Sequence, residues 1–172
     1  INYCYTCILY NFRYFNRVLG LEMERTRRSG ESCCLIVMDL DHFKRVNDKH
    51  GHEAGNIVLT HVSGLINKTI RRLDIACRYG GEEFTLILPN TTLKAGVIFA
   101  NRLRLVIGQS PIQAGQVRLG VQASFGVDAY NSGDKYTEKE FVEKVDGFLY
   151  LAKPTGRNRV CHGGLQYEDS KT

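Results

Sequence analysis

The sequence predicts an α+β domain of the ferredoxin-like kind, with a central antiparallel or mixed sheet flanked by helices. Three observations carry that expectation. The short apolar run from Cys33 to Asp39 reads as a strand buried on both faces. The pair Gly80-Gly81 separates two strand-like runs, the pattern of a hairpin. Stretches with apolar residues three and four apart lie between and after these strands. Together they give one β-α-β-β-α-β succession.

The elements follow in order. Residues 12–28 place Phe15, Val18, Leu19 and Met23 at helical spacing, and Ser29-Gly30 supplies the stop. After the first strand, a helix begins near Phe43 and is interrupted at His50-Gly51-His52. It resumes to about Arg72, with Ile57, Leu59, Val62, Leu65 and Ile66 as its apolar face. Ile75–Tyr79 and Phe84–Leu88 are the hairpin strands. The glycines between them predict a tight primed turn with positive φ. Pro89 ends the second strand. Residues 92–107 predict a helix with Ala95, Ile98, Phe99, Leu103 and Val106 inward. Val117–Asp128 holds two alternating strand runs broken near Gly120. Thr137 can cap a last helix, Glu138–Lys153, and Arg159–Cys161 reads as a closing strand. The tail after Gly163 is polar and expected to fray.

Composition bounds the function. A chain of 172 residues, 43% hydrophobic and 24% charged, is expected to form a single globular domain over 1–172, with a core of about 11–162 and a polar tail of 163–172. The longest clean apolar run, Cys33 to Met38, is far short of a membrane span, and no signal-peptide pattern is present. No membrane contact by this domain is expected. The chain begins at Ile1, so we expect an excised piece of a longer protein. The net charge of +5 is spread out rather than gathered on one stripe with stacking aromatics, so no nucleic-acid partner is expected. An RNA-binding sheet of this fold would need such aromatics. The six cysteines are too few for a disulfide scaffold. Cys33, Cys34 and Cys77 sit in buried runs, and Cys4-x-x-Cys7 lacks a second metal-binding pair. Reduced thiols and a reducing cytosol are the expectation.

Three clusters could carry chemistry. Asp39 ends the buried strand, and Asp41 follows. A carboxylate at such an exit is costly unless paired or metal-bound; capping the next helix is the other reading. Glu82 and Glu83 follow the glycine pair. Adjacent acids on a strand point to opposite faces, so at most one should join Asp39 unless the turn breaks the alternation. An ordinary polar hairpin tip is the alternative. Hard oxygen ligands on neighbouring strands suit Mg²⁺ with substrate phosphates. In Lys153-Pro-Thr-Gly-Arg157-Asn158, Pro154 and Gly156 break the helix. Lys153 and Arg157 then sit on a loop where they can clamp phosphate, or simply stabilise the helix C-terminus.

Tyr79-Gly80-Gly81-Glu82-Glu83-Phe84 resembles the signature of the GGDEF family, the diguanylate cyclases, in its GGEEF form. Asp39-Leu-Asp-His-Phe-Lys-Arg-Val-Asn-Asp48 resembles the family's D-x-D-x-F-K-x-x-N-D stretch. Gly51-His52-Glu-Ala-Gly55 resembles its G-H-x-x-G, and Ala152-Lys153 with Gly156-Arg157-Asn158 resembles its A-K-x-x-G-R-N. The likeness runs from about Asn11 to Val160. It implies a palm related to the nucleotidyl cyclases. It also implies condensation of two GTP into cyclic di-GMP with release of pyrophosphate, in a cytoplasmic homodimer. An upstream sensory or regulatory domain is implied too, and with it the reading that this is the cytoplasmic part of a membrane-attached sensor.

The resemblance also implies roles. Two Mg²⁺ or Mn²⁺ ions per site would be held by Asp39, the Leu40 carbonyl and Glu82. Glu82 would act as general base and Glu83 would help hold metal or substrate. Lys44 would stabilise transition-state charge. Gly80 and Gly81 would let the backbone approach the phosphates, His42 and Phe43 would add N–H donors, and Lys153 and Arg157 would grip the outer phosphates. Asn47, His52 and Asn56 match positions near the guanine. Arg71-x-x-Asp74 resembles the family's product-inhibition site, with Arg102 as a supporting arginine that helps bind cyclic di-GMP.

The chain departs from the family pattern in two places. Asn56 stands where the pattern has Asp, and an amide offers guanine one acceptor and one donor in place of two acceptors. That mismatch is expected to weaken guanine preference by about 1–3 kcal/mol and open the way to mixed cyclic dinucleotides, the other reading being that Asn56 still holds guanine through its N2 group with activity retained. The opening D-x-L-T-G-L reads Cys4-Tyr-Thr-Cys-Ile8-Leu9. A catalytically weak or silent receptor for cyclic di-GMP is the alternative function.

Overall fold

The computed structural model describes residues 9–164. The elements are β1 (Tyr10–Asn11), α1 (Phe12–Ser29), β2 (Cys33–Leu40), α2 (Phe43–Thr69), β3 (Ile75–Arg78) and β4 (Glu83–Leu88). They continue as α3 (Leu93–Gln109), β5 (Ile112–Ala114), β6 (Val117–Leu119), β7 (Ala123–Tyr130), α4 (Glu138–Ala152) and β8 (Val160–His162). One sheet runs in the order β1-β3-β4-β2-β7-β8, and β5 and β6 form a separate two-stranded hairpin. The four inner strands pair antiparallel, while β1 on β3 and β8 on β7 are parallel additions at the edges. The predicted α+β class and mixed central sheet are present.

β2 is buried at every residue because helices cover both faces of the sheet. Cys34, Ile36, Met38 and Leu40 pack with Val58, Val62 and Ile66 of α2 and Phe99 and Leu103 of α3. Cys33, Leu35 and Val37 pack with Phe15, Leu19 and Met23 of α1 and Phe141, Val145 and Leu149 of α4. This two-sided burial leaves no polar position in the strand until Asp39. Asn11 caps α1 by accepting from the Tyr14 N–H at 3.1 Å, and Gly30 ends the helix in the left-handed conformation at φ 80°. Thr137 and Glu140 form a reciprocal capping box on α4.

Several expectations are corrected. Neither Gly80 nor Gly81 adopts positive φ. The hairpin closes instead through a wider turn, in which the Glu83 carbonyl accepts from the N–H groups of both Tyr79 (2.8 Å) and Gly80 (3.3 Å). α3 buries Gly96, Phe99, Ala100, Leu103 and Ile107, which leaves Ala95 and Ile98 facing outward. Gly96 decides this rotation, because its missing side chain lets α3 close on Cys34 of β2. α2 ends at Thr69 rather than Arg72, since the Asp74 carboxylate draws the Arg71 N–H into a turn at 2.8 Å. β1 and β5 were not anticipated. The interruption of α2 is where the glycine indicated, at Gly51 with φ 86°. Cys33, Cys34, Cys77 and Cys161 are free thiols. Cys4, Cys7 and most of the polar tail lie outside the described residues. Among the described residues, no helix is long and apolar enough to cross a membrane.

α4 approaches β7 at Gly126, where an added Cβ would collide with the Val145 carbonyl and the Leu149 backbone. Gly126→Ala is therefore expected to lower unfolding stability by about 1–3 kcal/mol, read as a drop in the urea midpoint at unchanged slope.

Candidate active site

Three loops meet at one end of β2. The β2–β4 register sets Asp39 directly across from Glu83. Cross-strand partners share a face, so these two carboxyl groups lie on the same side of the sheet. Glu82 belongs to the wide turn rather than to the strand, so it escapes the alternation that would send it to the far side. Its carbonyl accepts from the Leu40 N–H at 3.2 Å, and its charge reaches Asp39. The Lys153 ammonium, at the C-terminal end of α4, lies 3.4 Å from Asp39 Oδ1.

Burial dominates the electrostatics. Desolvation pushes the Asp39 carboxyl up to about 6; the Lys153 ammonium opposes this, while the Glu82 and Glu83 charges add to the rise. Asp39 is 7% exposed, and Glu82 and Glu83 are half-buried. A single ammonium thus faces several carboxylates. Among the described residues, no group of three or more His, Cys, Asp or Glu side chains is placed to hold a metal by itself. A hard cation here would need backbone and ligand oxygens as well, which is the usual coordination of Mg²⁺.

The turn after β2 is formed by Asp41 and His42. His42 holds the left-handed conformation, φ 57°, and precedes α2 without a side-chain cap. Neither Asp39 nor Asp41 caps that helix, which corrects the capping alternative. Asp41 has a different task. Its Oδ1 accepts from Ser124 Oγ at 2.7 Å, and its Oδ2 accepts from the Asn158 N–H at 2.9 Å. It thereby ties the loop carrying Lys153 and Arg157 to the turn carrying His42, Phe43 and Lys44. Arg104 of α3 holds the same loop by donating to the Asn158 carbonyl (3.3 Å) and Oδ1 (3.2 Å). The loop needs holding, because Arg157 and Asn158 both sit at positive φ, 60° and 43°, which is unfavourable for side-chain-bearing residues. The sequence reading missed Arg104 and Ser124 as positioning residues. No local signal marks them, since their partners are distant in the chain.

The other predicted residues are placed as follows. Lys44, Gly81, His52, Asn56 and Arg157 are exposed, and Phe43 is buried under the turn. An added Cβ at Gly81 would meet nothing, whereas one at Gly80 would press on the Glu83 carboxylate. Asn47 lies against Gly55, whose missing side chain makes room for its amide. Asn47 Oδ1 is buried with no hydrogen-bond partner, a costly state that a ligand donor would relieve. Arg71 and Asp74 form a turn at the opposite end of β3 from Gly80-Gly81, joined by the Arg71 N–H to Asp74 and the Asp74 N–H to the Arg71 carbonyl (3.1 Å). Desolvation raises the Asp74 carboxyl against the opposing Arg71 backbone bond. The Arg102 guanidinium lies over the Phe99 ring of its own helix, 5.3 Å from the centroid.

The sequence profile of the family described as "Diguanylate cyclase, GGDEF domain" matches residues 6–159. The chain is 39% identical over 150 residues to Diguanylate cyclase A of Treponema denticola, covering 86% of this chain and 40% of that protein. It is 41% identical over 142 residues to Diguanylate cyclase DgcP of Pseudomonas aeruginosa, covering 83% of this chain and 21% of that protein. The chain therefore spans well under half the length of these curated relatives. Among solved structures, the GGDEF domain of DgcB from Caulobacter crescentus, in complex with c-di-GMP, superposes with a TM-score of 0.88 at 29% identity, covering 94% of this chain and 92% of that one.

Two predictions follow from the geometry. In metal-free solution the Asp39 carboxyl titrates near 6 in the folded chain and in the ordinary range, 3.8, when unfolded. Between those values the folded state binds the extra proton, so stability falls as pH rises and the loss is complete above pH 7. The expected loss is on the order of 2–3 kcal/mol, and Asp39→Asn should abolish it in urea titrations at pH 4 and pH 7.5. Asp41→Ala should speed hydrogen exchange at the Asn158 amide about tenfold or more, because that N–H loses its charged acceptor.

Proposed function

Since the chain belongs to the GGDEF family of diguanylate cyclases, we propose that it condenses two molecules of GTP into cyclic di-GMP and pyrophosphate as a homodimer. Residues 1–172 act as the single cyclase domain of a longer, sensor-regulated protein. The observation that carries the proposal is the convergence of Asp39, Glu82, Glu83 and Lys153 beside the Asp41–His42 turn.

The residues fit a divalent cation. Asp39 is a carboxyl whose charge is opposed by burial and by the Glu82 and Glu83 charges, and only partly offset by the Lys153 ammonium 3.4 Å away. Asp39, Glu82 and the Leu40 carbonyl would hold Mg²⁺ or Mn²⁺, two ions per site, with Glu83 in support. Such ions supply neutralisation of the triphosphate charge and of the charge that develops during displacement. Lys153 and Arg157 grip the outer phosphates, and the strained loop held by Asp41 and Arg104 aims them. The N–H groups of His42 and Phe43 donate to phosphate oxygens, Lys44 balances charge on the α-phosphate, and Gly81 leaves the approach open. Glu82 takes the proton of the 3′-hydroxyl as its oxygen attacks the α-phosphorus of the second GTP. The bond to the β-phosphate breaks and pyrophosphate leaves. One chain presents one such site, so two copies must face each other.

The orphaned Asn47 Oδ1 supports a base-binding role, because a guanine N–H would satisfy it. His52 and Asn56 lie further along the same broken helix. Asn56 favours a relaxed base choice, with ATP entering a mixed cyclic dinucleotide. The Arg71–Asp74 turn and Arg102 bind product as an inhibitory site: guanidinium stacks on and forks to guanine, and the carboxylate accepts from its N–H.

Mass spectrometry after incubation with Mg²⁺ and GTP, with and without ATP, tests the reading. Cyclic di-GMP is expected, and its rate per chain should fall on dilution as dimers separate. Glu82→Gln should cut turnover at least a hundredfold. Asn56→Asp should raise the GTP-over-ATP preference by about five- to a hundredfold. Binding of cyclic di-GMP without turnover at any chain concentration would establish the receptor reading instead.

A further inference from the structure

The first half of α2 has two faces. Asn47 and Phe43 occupy the one turned toward Gly55. Arg45, two residues earlier and about 200° round the helix from Asn47, lines a separate cavity of about 450 Å³ with Lys49 and His50. The far wall of that cavity is Gly108 at the end of α3 and the 119–122 segment leading into β7. Among the described residues, neither Arg45 nor Lys49 makes an ion pair or a hydrogen bond through its side chain, and both are exposed. They stand one helical turn apart, an arrangement in which like charges repel. The only carboxylate in the lining, Asp41, already has both oxygens engaged by Ser124 and Asn158. The cavity is therefore a cation-lined hollow whose charge the protein leaves uncompensated.

We propose that this cavity is a second phosphoanion site, distinct from the nucleotide site, that takes an anion of two or more linked phosphates. Arg45 forks onto one phosphate and Lys49 meets the next, a division suited to a planar fork and a point charge. An anion of two linked phosphates can give each cation its own phosphate, since the side-chain origins lie about 5–6 Å apart. The site shares the Asp41–His42 turn with the candidate active site. The assignment does not depend on the cyclase reading, because it rests on Arg45, Lys49 and the cavity alone.

The test uses the 172-residue chain, labelled with ¹⁵N, in EDTA, titrated with inorganic pyrophosphate at constant ionic strength. Amide signals of Lys49, Gly108 and Gly120 should shift saturably. R45Q/K49Q should weaken that binding about tenfold or more, while the charge-preserving R45K/K49R keeps it and K153A/R157A leaves those shifts in place. Shifts confined to residues 39–44 and 153–158, and lost in K153A/R157A, would overturn the proposal. So would unchanged binding in R45Q/K49Q, or equal binding of sulfate, which would show general ionic attraction only.

Discussion

The pairing of β2 with β4 places Glu83 across from Asp39, and the site depends on that register. A slip of one residue would turn every β2 side chain to the other face and carry Asp39 away from α4. The register is secured by burial rather than by the acids. Val37, Leu35 and Cys33 must face α1 and α4, while Met38, Ile36 and Cys34 must face α2 and α3. The hydrophobic effect thus fixes the position of a carboxylate that hydrophobic surroundings disfavour. Asp39 is held near 6 by that conflict, and the Lys153 ammonium relieves it only in part. A core that forces a buried acid against its neighbours is poised to welcome a cation, at a cost in metal-free stability.

A second conflict lies in the backbone. Arg157 and Asn158 occupy left-handed conformations in succession, just after the break of α4 at Pro154 and Gly156. Such strain persists only where the surroundings over-determine it. Here the bond from the Asn158 N–H to Asp41 and the two bonds from Arg104 do so. Asp41 is engaged on its other side by Ser124 of β7, next to β2 in the sheet. The loop carrying Lys153 and Arg157 therefore takes its position from the central strands.

The sequence made local features legible and left long-range ones hidden. The strand buried on both faces, the break at Gly51 and the Thr137 cap could be read because each has a signal within a few residues. The α3 face was misjudged because apolar residues surround most of that helix. Its rotation is decided by the fit of Gly96 over Cys34, a contact between elements. β1 and β5 are two and three residues long, too short for a periodicity to show. The tight glycine turn was the natural expectation for two glycines between strands, but the shared Glu83 carbonyl spreads the turn over one more residue. That wider turn takes Glu82 out of strand alternation, and the charges of both acids are felt at Asp39 where strict alternation allowed one.

The same reasoning separates what holds the fold from what recognises a ligand. Most buried polar side chains near the site have partners: Asp41 has Ser124 and Asn158, and Asp39 has Lys153. Asn47 does not, although its amide oxygen is buried and Gly55 is shaped to receive it. An unpaired buried acceptor lowers stability and contributes nothing to packing that an apolar residue could not supply. A donor arriving from outside the chain would relieve that cost. Asn56, exposed and directly after the buried Ala54 and Gly55 in the same segment, bears no such burden. On the proposed cyclase reading, Asn47 would make base binding favourable and Asn56 would set how strictly the base is chosen.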